Sequence, residues 1–346
     1  MKRMKGFRAV TALVLAFVML LGNALAKTYD ISVGGIIIHV TVDDQLVKQG
    51  TDKEVSDREP VIITGKTTGN TVTINADQGT AAEVTFKDLD IDVSGKTYTA
   101  AVKTEGDGNV AIELDGDNSL KSGNMAAGLQ KENGGVLTIN DQNEDGGSLD
   151  ATGGKYAAGI GGGYDANGSN ITINGGEVTA TGGNYAAGIG GGTEANGSNI
   201  TINGGKVTAN GGYQGAGIGS GDEADGSNIT INGGEVTATG GNYAAGIGGG
   251  DQGNGSDITI NGGTVTTQGG NDSAGIGGGA EANGSHITIN GGEVTANGGA
   301  YAAGIGGGQI GDGTDITING GTVTAQGGED GAGIGGGDYG NGTNIT

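Results

Sequence analysis

The sequence predicts an all-β chain wound as a right-handed parallel β-helix of about ten rungs at the usual 4.8 Å strand spacing. Three observations carry this. One isoleucine recurs at Ile160, Ile189, Ile218, Ile247, Ile276, Ile305 and Ile334, a step of 29 residues with no insertion. Within each unit, Ala158/Ile160, Ile171/Ile173 and Val178/Ala180 alternate with small or hydroxyl residues at period 2, the signature of half-buried strands. Glycine supplies 83 of 346 residues and proline only one, with no Gly-X-Y period, so the excess is not collagen. A disordered low-complexity chain does not hold so strict a register.

The chain divides into four segments. Residues 1–26 read as a cleaved export signal: Lys2, Arg3, Lys5 and Arg8, an apolar run from Ala9 to Leu21, then Ala24-Leu25-Ala26 as the cleavage pattern. That apolar run is too short for a membrane span of roughly 20 residues. No second stretch of spanning length follows, so the mature chain is expected to be secreted or held at a cell surface without a membrane span. Residues 27–60 read as a β-rich cap and loop covering the first open edge of the solenoid. Residues 61–155 hold looser rungs, with Tyr98 to Val102 and Met125 to Leu129 matching Tyr156 to Ile160. Residues 156–346 are the regular 29-residue repeats, and they stop in mid-motif at Ile345-Thr346, which suggests truncation.

Two columns test the one-repeat-per-rung model. The position before the third strand reads Glu177, Lys206, Glu235, Thr264, Glu293, Thr322, with no acid directly above another. Stacked rungs demand that, because like charges repel at strand spacing. Asn174, Asn203, Asn232, Asn261, Asn290 and Asn319 form an unbroken column, suited to an amide ladder or to Asn-Gly turns.

Composition narrows function. There is no cysteine, so neither a disulfide scaffold nor a Cys-based metal site is available. The net charge is −23, and removal of the four basic residues of the signal takes it to −27. Nucleic acid is excluded as a partner, because phosphate binding needs clustered Lys and Arg. No catalytic constellation stands out. His39 lies in a strand-like run, and His286 occupies a position that is Asn or Asp in the other repeats. The chain is therefore expected not to be an enzyme.

Two groups are candidate sites. Asp88-Leu89-Asp90-Ile91-Asp92 alternates acid with apolar, and Glu113-Leu114-Asp115-Gly116-Asp117 repeats the pattern. If these strands lie on adjacent rungs, Asp90, Asp92, Asp115 and Asp117 crowd together, and Ca²⁺, which takes hard oxygen ligands, is the cofactor that would suit them. A solvated acidic face is the alternative. Tyr156, Tyr185, Tyr243 and Tyr301 share one repeat position, with Tyr213 one residue off it. Exposed, they would line a stripe for sugar rings; otherwise they pack on the glycine turns.

The repeat AAGIGGG…NGSNITINGGEVTATGG resembles a β-helix repeat of secreted proteins from Firmicutes. The stretch from Val84 (VTFKDLDIDVSG) through residues 106–123 (GDGNVAIELDGDNSLKSG) is similar to a related group of secreted carbohydrate-binding β-helix proteins. The resemblance covers most of residues 61–346. It implies a fold like that of pectate lyases and, as partner, a polysaccharide, in some members an acidic plant glycan met through calcium. The lyases of this fold use an arginine base, and the mature chain has only Arg58, in the expected loop, which counts against elimination chemistry. The expected function is a secreted or cell-surface, non-catalytic carbohydrate-binding or adhesive module. A purely structural stalk, or the non-catalytic part of a polysaccharide-degrading enzyme, is the alternative.

Overall fold

The computed structural model describes residues 26–143 and 146–346. The expected signal segment, apart from Ala26, lies outside the described residues. Every regular element among the described residues is a strand.

The first strands set the frame. They are β1 (Lys27–Asp30), β2 (Ile36–Val40), β3 (Gln45–Gln49) and β4 (Val55–Ser56). β1 pairs in parallel with β5 (Val61–Thr67), and β2 with β6 (Val72–Ala76), so the solenoid ladders already run through residues 27–40. Only β3 and β4 are antiparallel additions, continuing from β2 as a three-stranded flap. The flap puts Lys48, Lys53, Glu54 and Arg58 at this end, which suits an edge that must not recruit further strands.

From β6 onward each coil runs through three faces. In β7 (Ala81–Asp92) one long strand covers two of them, bending at Asp88. Asp88 has φ +49°, and it is the extra residue where the β5–β7 pairing shifts between Thr64 and Gly65. The next coils split the two faces into separate strands: β8 (Val102–Glu105), β9 (Asn109–Asp115) and β10 (Asp117–Lys121), then β11 (Leu129–Lys131), β12 (Leu137–Asn140) and β13 (Ser148–Thr152). The regular repeat begins with β14 (Ile160–Gly161), β15 (Gly168–Ile173) and β16 (Glu177–Thr181), and the trio recurs to Ile334–Gly335 and Gly342–Ile345. Nine uninterrupted coils result, from β6/β7 to the coil ending at Gln326. The coil interrupted by the flap brings the rod close to the expected ten.

Register follows the sequence period. Ile160 pairs with Ile189, Ile171 with Ile200 and Val178 with Val207, each in parallel. The inward residues form one continuous core from Tyr29 to Ile316. A single coil could not bury that face alone; stacking buries it. Large side chains fill the early coils, with Phe86, Leu89, Ile91 and Leu114 wholly buried, and uniform Ile, Val and Ala fill the later ones.

The two diagnostic columns stack as the register requires. Glu177 faces Lys206, Lys206 faces Glu235, and Glu235 faces Thr264. The Lys206 ammonium lies 2.6 Å from Glu177 Oε1. Each Asn of the other column donates its Nδ2 to the Oδ1 of the Asn one coil earlier, from Asn319 down to Asn174 and on to Asn140, at 2.7–2.8 Å.

Glycine is obligatory at the short strand. Gly190 has φ +133°, and a Cβ there would lie 1.9 Å from Gly219 O. Two facts therefore exclude a side chain, the backbone angle and the close approach of the next coil.

Candidate functional site

One edge of the solenoid gathers the rings. The turn before each Ile-Gly strand lies beside the turn that follows the strand one coil on. Backbone hydrogen bonds join them: Thr193 N to Tyr156 O, Asp222 N to Tyr185 O, Asp251 N to Gln214 O, Ala280 N to Tyr243 O, and Asp338 N to Tyr301 O, at 2.9–3.1 Å. The column of Tyr156, Tyr185, Gln214, Tyr243, Asp272 and Tyr301 thus runs beside a second column of Thr193, Asp222, Asp251, Ala280, Gln309 and Asp338. Rings alternate with carboxylates and amides along this edge.

The rings do not form a flat strip. Tyr156 and Tyr185 stack nearly parallel, centres 5.5 Å apart and planes 6° apart, so each covers one face of the other. Tyr164 meets Tyr156 edge-on at 5.8 Å, and the Lys155 ammonium sits 4.8 Å from the Tyr156 ring centre. Tyr213, one residue off the column, meets Tyr243 edge-on at 5.4 Å. A hydrogen bond with Tyr213 raises the Tyr243 phenol above its ordinary value. Tyr213 and Tyr301 are exposed, while Tyr156, Tyr185 and Tyr243 are half-buried. The rings thus pack on each other, and Tyr213 and Tyr301 also reach solvent.

Between the tyrosines sits a polar knot. Gln214 Nε2 donates to Asp222 Oδ1 and to Asp251 Oδ2, both at 2.9 Å. Burial, and then the nearby Asp251 charge, push the Asp222 carboxyl up to about 6. The sequence reading missed Tyr164, Gln214, Asp222 and Asp251. The signal was there in principle: each stands four residues before or after the isoleucine of its repeat, on opposite sides of the short strand.

The acidic residues of the early coils are arranged differently from a facing acid cluster. The chain turns a corner at Asp88, and again at Gly116 between β9 and β10, so neither run is one alternating strand. In register, Asp90 faces Ser119, Asp92 faces Lys121, and Asp115 faces Lys87. Lys66 pairs with Asp90, and Lys87 Nζ lies 2.6 Å from Asp115 Oδ2. Asp92 accepts from Ser94, which lowers its carboxyl below the ordinary value, and Asp117 accepts from Ser148 Oγ at 3.0 Å. Among the described residues no group of three or more His, Cys, Asp or Glu side chains is arranged to hold a metal ion.

The histidines have structural partners. His39 Nε2 lies 2.9 Å from Asp77 Oδ1. His286 has φ +52°, and its column of Asn170, Asn199, Asn228, Asp257, Asp315 and Asn344 is left-handed throughout. Asn, Asp and His are the non-glycine residues most tolerant of that region, which accounts for His286 as a repeat variant. Arg58 donates to Asp44 Oδ1 at 3.1 Å.

Seven segments match the model of the Beta helix repeat family: residues 145–164, 171–193, 200–222, 229–251, 258–280, 287–309 and 316–338. No curated protein and no solved structure matches the chain. The matched segments coincide with the coils that stack in register, and the chain is accordingly a β-helix repeat protein.

Proposed function

We propose that this chain is an exported, non-catalytic β-helix module that binds polysaccharide along its tyrosine edge. The observation that carries the reading is the alternation of Tyr156, Tyr185, Tyr213, Tyr243 and Tyr301 with Thr193, Asp222, Gln214 and Asp251 on two columns joined coil to coil. A sugar ring has an apolar C–H face and a rim of hydroxyls. Tyrosine offers an apolar body with a polar tip, and carboxylate and amide groups receive or donate to hydroxyls. A ligand site is commonly built in this way, with aromatic walls and a few placed polar groups. The columns step about 4.8 Å per coil and carry rings at Tyr156, Tyr185, Tyr243 and Tyr301, which favours an extended ligand over a compact one. The basic, apolar and small-residue pattern of residues 1–26 supports export.

A glycan array of the whole chain, with and without EGTA, tests the reading. Binding to an extended polysaccharide is expected. Silence on the array in both conditions would sink it and favour a structural stalk, for which the continuous Asn ladder is the supporting feature. Dependence on EGTA would bring calcium into the reading as a bridge to an acidic glycan.

A further inference from the structure

We propose that the groove beside Tyr98 is a subsite for a neutral pyranose, at the N-terminal end of the tyrosine edge. The proposal rests on the carbohydrate reading above and narrows it. Val102 pairs with Leu129, and Leu129 with Ile160. Tyr98 stands four residues before Val102, as Tyr156 stands four before Ile160, so Tyr98 occupies the same column two coils earlier. Met125 holds the position between them.

Tyr98 differs from its column mates. It is 79% exposed, and among the described residues no other ring packs on it. Tyr156 and Tyr185 spend one face each on their mutual stack, whereas the Tyr98 faces are open. Beside it lies a groove of about 260 Å³, walled by Tyr98, Thr71, Thr73, Lys103, Gln130 and Glu132. That volume is below the range of drug-sized sites, roughly 300–1,000 Å³, and suits a single ring of a longer chain.

The charges of the groove are mutually engaged. Lys103 Nζ lies 2.5 Å from Glu105 Oε1 and 3.7 Å from Glu132 Oε2. Gln130 donates its Nε2 to Glu132, and its Oε1 accepts from Ala127 N at 3.1 Å, which fixes the amide orientation. One ammonium faces two carboxylates, so a uronate would meet net negative charge. A neutral pyranose can lay its C–H face on Tyr98 and share its hydroxyls among Lys103, Glu132 and the threonines. Hydroxyls both donate and accept, which matches a wall of paired donors and acceptors.

Calorimetric titration of the whole chain with cellohexaose, xylohexaose, mannohexaose and hexagalacturonate tests this, with a thermal melt of each variant to check folding. At least one neutral hexaose should bind more tightly than hexagalacturonate. Tyr98→Ala and Gln130→Ala should each weaken that binding about tenfold, the equivalent of about 1.4 kcal/mol, while Tyr98→Phe holds it within about threefold. Unchanged affinity in a folded Tyr98→Ala would remove the subsite and leave the carbohydrate reading standing. Preference for hexagalacturonate would overturn the neutral class. Failure of all four hexaoses, on wild type that a glycan array shows to bind polysaccharide, would overturn the subsite alone; failure on the array as well would overturn both readings.

Discussion

Gln214 links Asp222 of its own coil to Asp251 of the next: its Nε2 donates to Asp222 Oδ1 and to Asp251 Oδ2, both at 2.9 Å. The amide sits between two carboxylates that would otherwise face each other directly, and Asp222 is the one that burial disfavours as an anion.

This makes Asp222 a pH-dependent weak point. Its folded value, about 6, lies above the ordinary 3.8, so folding favours the protonated form. The contribution is fully present below pH 3.8 and is lost as pH rises through 6. Asp222→Asn should therefore stabilise the rod above pH 6 by about 1 kcal/mol, after allowance for solvent screening, and the gain should vanish near pH 4. Melting curves of both proteins from pH 3.5 to 8 measure it. A gain that stays constant across that range would refute the assignment.

Lys131 gives the mirror case. It points inward from β11, opposite Thr104, is 5% exposed, and donates to Asn133 O at 2.5 Å. Burial lowers its ammonium from 10.5 to about 8, so the neutral amine is the form the fold favours. Stability should rise as pH climbs from 8 to 10.5. Lys131→Met should stabilise at pH 7 by about 1–2 kcal/mol, with the advantage fading by pH 10.5. Urea titrations at pH 7 and 10.5 would show it, and a destabilised Lys131→Met at pH 7 would contradict it.

The close packing of glycine predicts a sharp contrast. Gly190→Ala forces a Cβ to within 1.9 Å of Gly219 O at φ +133° and should cost more than about 3 kcal/mol. Gly95→Ala meets nothing within 4 Å and should change stability by less than about 0.5 kcal/mol. Equal melting temperatures for the two variants would mean that the coils can separate at little cost.

The charge column can be inverted. Lys206→Glu would stack three carboxylates, at 177, 206 and 235, in direct register. The expected loss is about 1 kcal/mol, shrinking as salt is raised to 1 M. A loss unaffected by salt would point to a cause other than repulsion.

For the early acids, the lysine partners of Asp90 and Asp115 set the expectation. Adding calcium should shift the melting temperature of wild type and of Asp90→Asn/Asp115→Asn equally. A shift seen only in wild type would restore a cation to that surface.

The repeated part of the fold was legible because one residue period fixed every ladder. Ile160 over Ile189 follows from arithmetic on the sequence, and so does Lys206 over Glu177. Legibility failed where the chain turns corners. At Asp88, a left-handed residue rotates the strand onto a new face, and period-2 counting carries the acids past the bend as though it were straight. The tyrosine edge was half legible. The column came from spacing alone, but the ring geometry and the Asp222 and Asp251 partners came from two turns meeting across a coil, which strand periodicity does not describe. From sequence alone, residues 27–60 read as one β-rich cap and loop, whereas β1 and β2 pair into the parallel ladders and β3 and β4 alone are antiparallel additions.

The Asn ladder makes the rod adjustable in length by whole steps only. Each amide from Asn319 to Asn174 donates a hydrogen bond to the coil before it and accepts one from the coil after it wherever a ladder neighbour follows. Adding or removing one 29-residue unit leaves donor facing acceptor, isoleucine over isoleucine and glycine against glycine. A step of another length keeps these alignments only where a turn absorbs the difference, as between Asn140 and Asn174, which stand 34 residues apart and still share the ladder bond. A gene segment of this kind can lengthen or shorten by slippage of a full repeat and still encode a folded rod, about 4.8 Å longer or shorter, with its tyrosine edge extended or trimmed in the same measure.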